Sequence, residues 1–219
     1  MPSKAKQREA EIALHCAIQN RRVEEVSRLL RSGVDPNAFE SKARNFTLAL
    51  TALCAAIGAA GTMIQDWAIE LENAHKEHDP NYDTGARREA NLEIVRLLLA
   101  AGADPNLRTL SRTPMSLAAR TGDVEVVQLL LAAGAKTSGE CWSPLSKLPR
   151  PKGGLAFCHN AIHEASEKGF TDVVRLLCSK GADTSVTNHE GKTALQLANE
   201  RGHTEIVKLL EEHQNTSVR

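Results

Sequence analysis

The sequence contains few aromatic residues, no net charge and no long hydrophobic run. Only 3% of its 219 residues are Phe, Trp or Tyr, so its core must be built from Leu, Val, Ile and Ala. The 27 basic and 27 acidic residues balance, which removes the global field expected of a protein that binds nucleic acid or anionic membrane. No stretch approaches the roughly 18 uncharged apolar residues needed to cross a bilayer. These absences predict a soluble cytoplasmic or nuclear protein.

The five cysteines are an odd number and show no CxxC spacing, which argues against a disulfide framework. Three of them fall in apolar helical stretches, where a thiol behaves as a small hydrophobe. We therefore expect reduced core cysteines. The polar first ten residues also lack the apolar segment of a secretory signal.

One phrase recurs along the chain: a short apolar segment, a turn, an amphipathic E-V-V-x-L-L-L segment and then G-A-D. Pro114 suits the first turn of a helix because its φ is preset, and Gly122 permits the reversal that follows. A single helix pair cannot bury both of its faces, so neighbouring pairs must stack. The second halves of the copies are Glu24 to Asp35, Glu93 to Asp104, Glu125 to Lys136, Asp172 to Asp183, and Glu205 to Leu210.

This phrase resembles the ankyrin repeat, whose period is about 33 residues. The resemblance implies an all-α solenoid of stacked helix–turn–helix units joined by hairpin loops. It covers one domain, residues 10–213, between a flexible N-terminus (1–9) and a frayed tail (214–219). The predicted repeats are 10–38, 47–107 with an insertion at 62–90, 109–138, 159–186 and 188–213, and residues 139–158 are an extended hairpin.

The first of three insertions lengthens the hairpin between Asn37 and Thr51 by about six residues over the family period. Two aromatic and two cationic side chains in this loop form a candidate contact patch. The alternative is that one aromatic folds back onto repeat 1, because large apolar residues usually find cover. These residues are Phe39, Lys42, Arg44 and Phe46.

The second insertion separates the two helices of repeat 2 by roughly 30 extra residues. Apolar residues at helical spacing predict a helix from Thr62 to about His78. Asp79 to Gly85 is typical of a loop, and the second helix of the repeat is expected to begin near Asn91. We expect Trp67 to dock the inserted helix against the repeats; the alternative is that it contacts a ligand.

The third insertion, residues 139–158, contains Pro149-Arg150-Pro151, which prevents a helix from continuing there. An elongated hairpin tip is predicted instead. Gly153-Gly154 lies beside cations, but no phosphate-loop motif follows a strand. We therefore expect no nucleotide site.

In ankyrin-like proteins, partners usually engage the hairpin tips and the concave face of the first helices. The resemblance therefore implies a protein–protein interaction scaffold. The first helix of the ankyrin repeat begins with a T-P-L-H motif, and His15 and His163 occupy its histidine position. In the family, this imidazole makes structural hydrogen bonds between adjacent loops. The candidate partner-binding residues are Phe39, Lys42, Arg44, Trp67, Tyr82, Arg108, Leu110, Arg112, Arg120, Trp142, Lys147, Arg150, His189 and Lys192.

Cations outnumber acids in the predicted tips, with seven Lys or Arg against Glu40 and Glu140. If they share one edge, they predict a protein partner with an acidic surface. The alternative is that these charges are simply solvated. Nucleic acid is disfavoured because the aromatic residues form no stacking array. We expect a monomer.

An enzyme or small-molecule-binding protein is the alternative function. The 62–90 insertion could close a pocket over the groove, lined by Trp67, His75, Tyr82 and Trp142. No nucleophile–base constellation accompanies it. His75 and His78 lack the further ligands that a metal site needs. We therefore expect no catalytic residue, metal or cofactor.

Overall fold

The structure, a computed structural model, describes residues 4–38, 51–57, 84–107, 113–138, 160–188 and 190–217. These residues form helices joined by turns, and no β-strand occurs among them. The predicted all-α class is thus confirmed. The helices are α1 (Lys4–Gln19), α2 (Val23–Arg31), α3 (Ala52–Ala56), α4 (Thr84–Ala100), α5 (Pro114–Thr121), α6 (Val124–Ala132), α7 (Ala161–Lys168), α8 (Thr171–Ser179), α9 (Ala194–Glu200) and α10 (Thr204–Ser217).

The helices form two compact units, Met1–Leu107 and Arg108–Arg219. In the first unit, α1 packs on α2 and α3, and α4 packs on both α2 and α3. In the second unit, α5, α7 and α9 form a row of first helices, and each packs on the second helix of its own repeat, α6, α8 or α10. Within each unit, neighbouring helix pairs therefore bury their faces against one another, as stacked repeats require.

The first helices of repeats 2 to 5 begin at side-chain caps. The Thr113 hydroxyl accepts a hydrogen bond from the Ser116 N–H at 3.1 Å, and the Ser116 hydroxyl accepts one from the Thr113 N–H. Thr193 and Gln196 make the same reciprocal pair. Such a capping box satisfies backbone donors that the first turn leaves free. The recurring threonine thus fixes where each of these two helices starts.

The exit turns of three repeats are fixed by the aspartate that lies two residues after the exit glycine. The carboxylates of Asp35 and Asp104 accept a hydrogen bond from the N–H two residues later, both at 2.8 Å. Asp183 accepts hydrogen bonds from the hydroxyl and from the N–H of Ser185, and these bonds, in that order, lower the pKa of Asp183. Repeat 3 carries Lys136 at this position, and an ammonium cannot accept the hydrogen bond that fixes the turn.

Asn37, in the exit turn of repeat 1, makes hydrogen bonds to the backbone of the exit turn of repeat 2. The Asn37 carbonyl oxygen accepts from the Asp104 N–H at 2.7 Å, and its amide donates to the Gly102 carbonyl at 3.3 Å. The amide side chain thereby satisfies a donor and an acceptor of the following repeat. This contact sets the register between repeats 1 and 2.

The buried core of the second helices follows the recurring phrase. In α6, Val126, Val127 and Leu130 are buried, whereas Leu129 and Leu131 are half-buried. The buried face of this helix is therefore narrower than the set of apolar residues in its sequence suggests. The buried equivalents in other repeats are Ile94, Val95, Leu98, Val173, Val174, Leu177, Ile206 and Leu210.

The expectation of three core cysteines is wrong for one of them. Cys54 and Cys178 are buried, and burial raises their pKa to about 12 and about 11. Cys16 is exposed on α1. It stands at the position that Leu117 fills in repeat 3, but the described chain contains no earlier repeat to cover it.

Three helices extend further than predicted. Helix α1 begins at Lys4, within the segment expected to be flexible, and α10 continues to Ser217, within the tail expected to fray. Helix α4 begins at Thr84 rather than near Asn91 and includes Gly85, which was predicted to lie in a loop. The added turns of α1 and α4 are rich in Ala, Arg, Lys, Gln and Glu, which favour helix, so each helix continues beyond the repeat phrase.

Arg21 adopts a left-handed conformation, with φ of 54°. It stands where repeats 3 and 4 carry Gly122 and Gly169. Its Nε is also buried without a hydrogen-bond partner among the described residues. A side chain in this conformation costs roughly 1–2 kcal/mol.

Replacing Arg21 by glycine should therefore raise the free energy of unfolding by about 1 kcal/mol, since part of the gain is offset by the greater freedom of glycine in the unfolded chain. Urea unfolding followed by circular dichroism measures the change. Arg22→Gly is the matched control, because Arg22 has an ordinary φ of −84° and should gain nothing. Equal effects of both variants would contradict the assignment.

Candidate functional site

Charged side chains line up at the ends of the first helices of the second unit, and we call them the first-helix row: Arg120, Glu164, Glu167, Lys192, Glu200 and Arg201. They are joined by ion pairs within and between repeats. An Arg120 Nη1 lies 3.8 Å from Glu164 of the next repeat, and Arg201 donates to Glu167 of the repeat before it. Lys192 donates to Glu200 at 2.8 Å.

Lys192 also lies 3.1 Å from Glu190. The hydrogen bonds to Glu200, first, and then to Glu190 raise the pKa of Lys192. Its side chain is 35% exposed, as against 50% for Glu200 and 57% for Arg201. Charges of both signs are therefore held in place and still available to a binding partner.

Glu164 is the exception in the first-helix row because its side chain is only 1% exposed. It occupies the fifth position of the first-helix phrase, where the flanking repeats carry Leu117 and Leu197, which are also buried. A carboxylate at a core leucine position needs compensation by charge and hydrogen bonds. Arg120, 20% exposed, supplies part of it.

Two rings lie over two glycines of the preceding repeats. A Cβ placed on Gly122 would lie 2.5 Å from two ring carbons of Phe170, and one on Gly169 would lie 2.7 Å from His203 Cε1. His203 Nε2 is also 3.1 Å from the Glu167 carbonyl oxygen. These contacts hold the ends of the first helices at a fixed spacing, and so position the first-helix row.

The two histidines of the T-P-L-H position make the contacts that the family resemblance implies. Nε2 of His15 lies 3.0 Å from the carbonyl oxygen of Ala38, and Nε2 of His163 lies 3.0 Å from that of Val186. In each case the ring reaches a carbonyl 23 residues later, in the turn that follows the second helix. Both imidazoles thus have a structural role.

Of the fourteen candidate partner-binding residues, the structure describes Arg120 and Lys192. Both are in the first-helix row, each within an ion pair. The other twelve lie outside the described residues, so their roles stay predictions. The pocket proposed from Trp67, His75, Tyr82 and Trp142 lies outside them too.

Sequence reasoning missed Glu164. The signal in the sequence was a break in the repeated phrase: repeat 4 carries a glutamate where repeats 3 and 5 carry leucine at the equivalent position. Only the packing of α7 against α5 and α9 reveals that this position is buried.

The described residues contain no group of three or more His, Cys, Asp or Glu side chains that could hold a metal ion. Within the same ranges, every helix is too short or too polar to cross a bilayer.

Comparison with known proteins gives the family. Models described as ankyrin repeats match residues 11–40, 85–131 and 146–219. Cyclin-dependent kinase 4 inhibitor B of Mus musculus is 35% identical over 133 residues, which cover 60% of this chain and 91% of the relative. The chain belongs to the ankyrin-repeat family. The resemblance seen in the sequence is confirmed.

Other relatives share shorter parts with this ankyrin-repeat chain. A probable E3 ubiquitin-protein ligase, XBOS34, of Oryza sativa subsp. japonica is 43% identical over 56 residues, 26% of this chain and 11% of the relative. A putative ankyrin repeat-containing protein of Treponema pallidum is 35% identical over 126 residues, 57% of this chain and 38% of the relative. The chain thus spans about a tenth of the length of the rice protein, and the match does not extend to most of that ligase.

Proposed function

We propose that the chain binds a folded protein partner through its hairpin tips, its insertions and the first-helix row. The observation that carries this proposal is the set of ion pairs in the row, which hold partly exposed charges at the ends of successive first helices. Side chains that are already ordered lose less conformational entropy when a partner binds. A row of fixed charges is therefore suited to recognition.

The partner surface is proposed to be acidic. Within the row, charges of the two signs are paired, so the net attraction must come from the tips, where Arg108, Arg112 and Arg150 stand in sequence. Such cations would speed association with an acidic protein and fix its orientation. The similarity to a relative named as an inhibitor of cyclin-dependent kinase 4 supports a folded protein, rather than a small molecule, as the partner.

A cytoplasmic or nuclear location and a monomeric chain complete the proposal. The buried free thiols of Cys54 and Cys178 fit a reducing compartment, where disulfides are rare.

The test is a comparison of captured proteins between the natural chain and a tip variant in which Arg108, Arg112, Trp142 and Arg150 are all replaced by alanine. We expect the variant to capture specific partners at least roughly tenfold less well, because truncated interface anchors cost more than about 1 kcal/mol each. Quantitative mass spectrometry of immobilised chains measures the loss.

A control variant carries Arg31→Ala, Arg175→Ala and Lys208→Ala, which remove exposed cations from second helices. It should capture the same partners as the natural chain. Both variants are first checked for an unchanged thermal unfolding midpoint. Unchanged capture by the folded tip variant, or equal losses in both variants, would count against the proposed surface.

A further inference from the structure

The second helices of repeats 3 and 4 leave a groove between them. Helices α6 and α8 pack less closely than α8 and α10 do. The gap has a volume of about 690 Å³ and is lined by Leu131, Ala132, Leu176, Lys136 and Lys180 among others. We call it the second-helix groove. It is within the range of about 300–1,000 Å³ that accommodates ligands, so it has room for several side chains of a partner.

The groove has an apolar floor. Leu131 and Leu176 face it from opposite helices and are each half-buried. They belong to the recurring apolar segment of their helices, yet Leu130 and Leu177, their neighbours in sequence, are fully buried. The floor therefore offers apolar surface that the repeats themselves do not cover completely.

The charged side chains that the structure describes at the rim of the groove have one sign. Lys136 and Lys180 are both exposed, and no acidic side chain is among the described residues that line the groove. Lys136 stands where repeats 1, 2 and 4 carry Asp35, Asp104 and Asp183, so this corner differs from its equivalents by two charge units.

The first unit has a smaller groove, of about 430 Å³, between α2 and α4, and its charge can be compared with that of the second-helix groove. It is lined by two acids and two bases, Glu24, Glu93, Arg28 and Arg31. Its formal charge is therefore zero, whereas the described residues that line the second-helix groove have a formal charge of +2, from Lys136 and Lys180. The groove of the first unit therefore does not share the positive rim.

We propose that the second-helix groove binds an acidic segment of a partner protein that carries leucine or similar apolar anchors. The anchors pack on Leu131 and Leu176, and carboxylates of the segment meet the ammonium groups of Lys136 and Lys180. An amphipathic segment laid in an apolar groove buries one face and leaves its charged flanks at the rim, where the lysine stems also cover apolar surface. This surface uses second helices and does not depend on the first-helix row.

The probe is a fluorescein-labelled peptide that carries leucine at positions i, i+3, i+4 and i+7 and glutamate elsewhere. Its binding to the full chain is followed by fluorescence anisotropy. Lys180→Glu should weaken binding roughly tenfold, because it replaces attraction by repulsion at the rim. Ala132→Trp, which fills the groove at an exposed helix end, should weaken binding without any change in charge. Added salt should weaken binding to the natural chain.

Three controls make the proposal refutable. Lys208→Glu reverses an exposed charge on α10, outside the groove, and should leave the affinity unchanged. A peptide with lysine in place of glutamate, and one with serine in place of leucine, should both bind more weakly. Equal effects of Lys180→Glu and Lys208→Glu, or undiminished binding to folded Ala132→Trp, would overturn the proposal. Self-association that Ala132→Trp abolishes would identify a second copy as the occupant and would also overturn it.

Discussion

Replacing Gly122 by alanine should lower the free energy of unfolding by about 2–4 kcal/mol, because two costs add at this position. The residue has a φ of 74°, which disfavours any side chain. A new Cβ would also lie 2.5 Å from the ring carbons of Phe170. The rigid ring cannot avoid the methyl group by a rotation of its far end, so the backbones of repeats 3 and 4 must separate.

Gly134→Ala is the control that divides the two costs. Gly134 has a φ of 86°, and nothing lies within 4 Å of a Cβ built there. This variant should lose only the conformational part, roughly 1–2 kcal/mol. Urea unfolding curves of both variants give the difference.

Removing the ring provides the complementary test. In a Phe170→Ala background, the additional cost of Gly122→Ala should fall to that of Gly134→Ala. Equal losses in the two single glycine variants would show that the ring contact has no part in holding these repeats together.

Replacing Arg120 by alanine should destabilise the second unit by about 3 kcal/mol, since it removes a partner from a buried charge. The carboxylate of Glu164, which is 1% exposed in the natural chain, would lose the guanidinium that lies 3.8 Å away. Glu164→Leu should instead change stability by less than about 1 kcal/mol, or raise it, because an apolar residue often replaces a buried ion well. Leu117 and Leu197 show that this side chain fits the same position in the neighbouring repeats.

The double variant, Arg120→Ala with Glu164→Leu, should recover most of the stability that Arg120→Ala loses. The four proteins form a double-mutant cycle, and the coupling between two contacting residues should amount to about 1–3 kcal/mol. Additive effects would mean that Arg120 does not compensate the buried carboxylate. Such a result would return Arg120 to the role first assigned to it, a residue available to the partner alone.

Much of the fold was predictable because the same signals for helix starts and helix ends recur in successive repeats. The Thr113-Pro114 start and the Gly122 stop mark helix ends through local backbone chemistry that the sequence records directly. The starts of α1 and α4 do not follow from the period of the repeat, because both helices extend beyond the repeated phrase into residues that favour helix by propensity. At Lys4 and Thr84, the start of the helix is determined by the helix propensity of the nearby residues and not by the repeated phrase.

The site was less predictable than the fold. The burial of Glu164 depends on helices that are distant in sequence, and a glutamate in an otherwise apolar phrase is equally typical of a solvated groove. Cys16 shows the opposite error, since it was expected to be buried and is exposed. Its position is a core position only when another repeat covers it, so the same register is buried in repeat 3 and exposed in repeat 1.

The rings over the glycines also limit how such an array can be rebuilt. Phe170 covers Gly122 of the preceding repeat, and His203 covers Gly169. A tandem copy of repeat 4 would again find a glycine beneath its ring, so duplication in that order preserves the joint. A copy of repeat 3 placed after repeat 4 would bring Asp123 over Gly169 and leave the gap unfilled. The order in which these repeats can be rearranged is thus restricted by one side chain at each of these two junctions.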